Sequence, residues 1–76
     1  MQIVRTPADL AALCRELRER DGKTQAELST LIGAKNPQEV GNAENPRQPS
    51  RFATRQRILA HYGYDVTEAY VVEKRG

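Results

Sequence analysis

Three helix openings stand close together in the first half of this chain: Thr6-Pro7-Ala8-Asp9, Thr24-Gln25-Ala26-Glu27 and Asn36-Pro37-Gln38-Glu39. In each, a side chain able to accept from free backbone N–H groups stands three positions before an acid, and acids are favoured in a helix's first turn. Two of the three place proline at the first helical position, where no N–H is needed. Thr24 with Glu27, and Asn36 with Glu39, have the chemistry of capping boxes. The closing signals are as clear: Asp21-Gly22, Gly33 and Asn45-Pro46. Up to Asn45 this punctuation leaves room for three helices on short turns and for little else.

The apolar pattern agrees. Leu10, Leu13, Cys14 and Leu17 recur at the spacing of one helix face in an otherwise charged segment. Leu28, Leu31 and Ile32 are the expected core side of the second helix, and Val40 and Ala43 that of the third. So narrow a stripe docks one face of the third helix and leaves the others polar. Ser50 can cap a fourth helix ending near Tyr62 and Gly63, with Phe52, Ile58, Leu59 and Tyr62 turned inward. Arg55 and Gln56 interrupt that stripe. Either the face is exposed there, or it makes a polar contact with another subunit or a partner.

Residues 64–72, YDVTEAYVV, are rich in Val, Tyr and Thr and predict a strand. A strand needs a neighbour for its backbone groups. The simplest neighbour is the same strand of a second copy; the alternatives are intrachain pairing with Gln2-Ile3-Val4 and a frayed tail.

At 76 residues the chain is read as one domain over 1–76, with a helical core at 6–63 and a dimerisation strand at 64–73. A chain this short buries only about 60% of its unfolded surface, so association would help it. Cys14, set among leucines, reads as a small buried hydrophobe. Cys14 and His61 lack the spaced companions of a metal site, so no metal or cofactor is expected. No nucleophile–base set is visible, which argues against an enzyme and against a small-molecule substrate. Without a long apolar run or a leader pattern, the expected location is the cytoplasm, at the nucleoid, with no membrane partner. The net charge is only +2, yet Arg47, Arg51, Arg55 and Arg57 fall between Asn45 and Tyr64 with no acid among them. A local basic stretch beside a polar helix is the footprint of a nucleic-acid partner, although a solvated face gives the same pattern.

The run Leu17-Arg18-Glu19-Arg20, then Thr24 to Gly33, then Asn36 to Glu44, resembles the phage-repressor (Xre/Cro-type) helix-turn-helix family over about residues 10–63. The Thr-Pro-Ala-Asp-Leu opening, the Glu44-Asn45 pair and the terminal strand are most similar to the HipB-type antitoxins. The resemblance implies an all-α bundle of four to five helices, with a C-terminal β-strand that pairs across a dimer. It further implies recognition helices that face a palindromic operator in double-stranded DNA. Three departures stand out: Ala34-Lys35-Asn36 makes the turn one residue longer than is usual, Pro37 replaces a frequent base-reading glutamine, and Gly41 replaces a favoured serine.

On the third helix Gln38 and Asn42 lie one turn apart on one face, and both types make bidentate contacts to adenine. They are the expected base readers. Glu39 is either a cap or an acceptor for a cytosine amine, its spacing from Asn36 favouring the cap. Gly41 either lets the helix approach DNA closely or is simply tolerated. Gln25 matches a family position that binds phosphate, and Lys35, Arg47, Ser50 and Arg51 are expected to bind phosphates around it. Glu44 matches a structural position. Val66, Tyr70, Val71 and Val72 are the expected dimer contacts.

The resulting expectation is a homodimeric, sequence-specific repressor, acting as antitoxin and autoregulator of a toxin–antitoxin operon with a HipA-like kinase toxin as partner. The alternatives are a stand-alone Xre-type phage or host regulator, and a protein-interaction module that neutralises a partner without binding DNA.

Overall fold

The three sequence caps form as their chemistry dictates in the computed structural model, which describes residues 2–3, 6–47, 52–66 and 71–74. Helix α1 spans Pro7–Arg20, α2 Gln25–Ile32, α3 Pro37–Ala43 and α4 Phe52–His61. Thr6 Oγ1 accepts from Asp9 N–H at 3.1 Å. Thr24 and Glu27 close a reciprocal capping box. Asn36 Oδ1 accepts from Glu39 N–H at 3.2 Å, but the Glu39 carboxylate accepts from Lys35 N–H at 2.8 Å and not from that of Asn36. The second box thus ties in the residue before the cap, and so braces the lengthened turn. Gly33 ends α2 at φ 73°, a left-handed conformation that favours glycine.

The chain is mostly helical. Around α4, which packs against α1, α2 and α3, lie the buried side chains Leu10, Leu13, Cys14, Leu17, Leu28, Val40, Ala43, Ile58 and Leu59. Burial of Cys14 agrees with its reading as a hydrophobe. One apolar assignment fails: Leu31 is 51% exposed, whereas Ser29 is buried. The inward stripe of α2 is Leu28, Ser29 and Ile32, and the polar member is tolerated because its hydroxyl donates to Asn36 O at 3.1 Å.

The C-terminal segment departs furthest from expectation. It is not one strand but two, β2 (Tyr64–Val66) and β3 (Val71–Lys74), which pair antiparallel. The N-terminal β1 (Gln2–Ile3) joins the other side of β3, giving the sheet order β1-β3-β2. Backbone partners sought in a second copy are therefore found within the chain. Val66 and Val72, expected at a dimer interface, face each other across β2 and β3 and belong to the chain's own core. Val71 pairs with Ile3 through the backbone, and Tyr70 lies outside the described residues. Among the described residues no helix is long and apolar enough to cross a membrane.

Candidate nucleic-acid interface

Only Val40 and Ala43 of α3 are buried, so the helix docks by one edge. Gln38 is exposed and Asn42 partly so, together on the open side. Seven residues of helix cannot hold themselves in place; isolated helices need roughly 12 or more to be even marginally stable in water. Neighbouring side chains fix α3 from both ends.

At its N-terminal end, Ser29 and Glu39 bind the turn as described. Arg57 Nη2 donates to Ile32 O at 2.6 Å, satisfying a free carbonyl at the end of α2. At its C-terminal end, Arg55 is fully buried and donates from Nε to Ala43 O at 2.7 Å and from Nη2 to Asn45 O at 2.9 Å. Of the two residues that interrupt the α4 stripe, Arg55 is thus an inward-facing cap for α3, whereas Gln56 is exposed and donates from Nε2 to Val66 O at 3.4 Å. The Arg55 charge is placed where a helix C-terminus is most electronegative.

Two of the four arginines in the basic stretch consequently serve the scaffold. Arg47 remains exposed, and its backbone N–H donates to Asn45 Oδ1 at 2.9 Å in a local turn. Lys35 is exposed, while Ser50 and Arg51 lie outside the described residues. Among the described arginines of this stretch Arg55 is buried, whereas Arg57, though bonded to Ile32, stays exposed.

Glu44, just past α3, joins three helices. Its carboxylate takes a bidentate contact from Arg18 of α1, at 2.6 Å from Nε to Oε2 and 3.0 Å from Nη2 to Oε1. Arg18 Nη1 also donates to Lys23 O at 2.8 Å. The bond to Glu44 is the main cause holding the guanidinium above its ordinary pKa. Gln25 Nε2 adds a third contact, to Oε1 at 3.2 Å. Gln25, expected to bind phosphate, is half-buried and bonded through Nε2 to Glu44.

Sequence reasoning placed Gln38 and Asn42 together on an open face, and the structure places them there. It missed Arg55 and Arg57 as caps; for Arg55 a cation inside an apolar stripe was the available signal, and for the exposed Arg57 there was none. No family model, curated protein or solved structure matches the chain.

Proposed function

We propose that the chain is a sequence-specific DNA-binding repressor of the phage-repressor helix-turn-helix type, with α2 and α3 as the helix-turn-helix and α3 as the recognition helix. The observation that carries this reading is the division of α3: Val40 and Ala43 dock it, Arg55, Glu39 and Ser29 fix its ends, and Gln38 and Asn42 are left outward. A rigid, uncharged, hydrogen-bonding edge is what major-groove readout needs. Lys35 and Arg47 would supply flanking phosphate contacts, joined by Ser50 and Arg51, and these position the protein without carrying sequence information.

The operating form is a homodimer on a palindromic operator, with half-sites about 34 Å apart. Because β3 is central in the sheet, a second copy would meet an outer strand, β1 or β2. By resemblance to HipB-type antitoxins, the setting is an autoregulated operon whose partner product is a HipA-like kinase.

A second reading is favoured by the inward turn of Arg55 and by exposed Leu31 beside Lys23, Glu27 and Thr30. On that reading the scaffold binds a protein and not DNA. Fluorescence anisotropy on the DNA just upstream of the coding sequence, repeated from low to high salt, separates the two. A steep loss of affinity with salt supports the repressor; a flat or absent response overturns it.

A further inference from the structure

The open face of α3 has a gap in its middle. Gln38, Gly41 and Asn42 run along it, and at Gly41 no side chain projects. Gln25, from the start of α2, lies in that space: a β-carbon at position 41 would stand 3.2 Å from Gln25 Oε1 and 3.7 Å from both Cδ and Nε2. A side chain at position 41 would thus meet the Gln25 carboxamide before anything else.

The carboxamide has a defined orientation. Glu44 is a carboxylate held by Arg18 and can only accept, so the Gln25 nitrogen must face it. The oxygen is then the atom beside Gly41, and no hydrogen bond among the described residues engages it. A phosphate oxygen requires a donor, which on this carboxamide is the second N–H of Nε2; the oxygen itself is an acceptor. In the major groove its complement is an exocyclic amine, N6 of adenine or N4 of cytosine.

We propose that Gln25 is a third base reader, admitted to the α3 face by the gap at Gly41, aimed by Glu44 and Arg18, and accepting from the exocyclic amine of a base. The proposal rests on the DNA-binding function above. It makes Gly41 a positioning residue: valine there fills the gap and alanine narrows it, and both are better helix formers than glycine. Recognition would thus come from three carboxamides, Gln25, Gln38 and Asn42, with no charged side chain touching a base.

The test compares wild type, Gln25→Ala, Gly41→Val and the double variant by anisotropy on the upstream DNA and its single-base-pair variants. Circular dichroism checks the fold, and Gly41→Ala substitutes if the valine variant is unfolded. Each single variant should weaken binding about tenfold, as expected for loss of one base contact. Discrimination should collapse at the same base pair in both, and the double variant should be no worse than either. A uniform loss over all base pairs, additive losses, or no loss would overturn the proposal while leaving the repressor standing.

If wild type binds no DNA, the function itself fails, and the base-reader proposal with it. The side-chain amide resonances of Gln25 then judge the gap alone. They should be shifted by Glu44 in wild type and move to solvent-exposed positions in Gly41→Val; unchanged resonances would show that Gly41 does not position Gln25.

Discussion

Arg55, in the middle of α4, donates from Nε to the carbonyl oxygen of Ala43 at 2.7 Å, so a fully buried cation from one helix closes the end of another. Replacing it with alanine removes two charge-assisted bonds, leaves carbonyls without partners and opens a cavity. Arg55→Ala should cost about 2–4 kcal/mol in urea unfolding, with faster amide exchange in α3. Arg55→Lys should recover only part, since an ammonium lacks the fork that reaches both Ala43 and Asn45. Wild-type stability in Arg55→Ala would mean that α3 holds its place without this cap.

The Arg18–Glu44 pair is almost removed from water, the two side chains being 13% and 4% exposed. Glu44→Gln should lose about 3 kcal/mol, mainly because Arg18 keeps a buried charge without its counterpart. Arg18→Met combined with Glu44→Leu should be more stable than either single change. A double-mutant cycle in denaturant measures the coupling, and independent, additive losses would refute it.

Val72 is 1% exposed in the central strand β3, opposite Val66. Val72→Asp should therefore unfold the chain, and Val72→Ala should lower stability by about 1–2 kcal/mol. Were the segment only an arm for a second copy, sedimentation would instead show folded monomers of undiminished stability.

Two groups, buried Cys14 and partly buried Tyr62, bear on alkaline stability. Burial pushes the Cys14 thiol from 9.0 up to about 12. Burial, then the bond to Asp21, raises the Tyr62 hydroxyl from 10.0 to about 12. The unfolded chain releases these protons first, so the contribution is full below about pH 9 and is lost as pH rises from there toward 12. Tyr62→Phe should flatten the part of this decline above pH 10. Native Cys14 should also resist a thiol reagent at pH 8 and react only after urea is added; rapid native labelling would contradict its burial.

At the proposed interface, Gln38→Ala and Asn42→Ala should each relax discrimination at one base pair by about 1–3 kcal/mol without altering the fold. Arg47→Ala should weaken binding to all sequences alike and reduce the salt slope by about one. Equal behaviour of all three variants would mean that α3 does not read bases.

What the sequence determined by itself was local. Thr6, Thr24 and Asn36 declared the starts of α1, α2 and α3 because a cap acts on backbone groups two or three residues away. The narrow stripe of Val40 and Ala43 likewise showed that α3 keeps a polar face, and so located Gln38 and Asn42. Tertiary structure decided whatever depends on residues distant in the chain. That Arg55 serves Ala43, that Arg57 serves Ile32 and that Gln25 lies between Glu44 and Gly41 follow from how α4 and α2 cross α3. Leu31 points outward because α2 buries the side that carries Ser29, whose hydroxyl has a partner seven residues on. The strand tendency of residues 64–72 was legible, its pairing was not. Strand propensity records a residue's fit to a pleated surface, whereas the choice between a second copy and Gln2-Ile3 depends on which backbone edge the folded helices bring within reach.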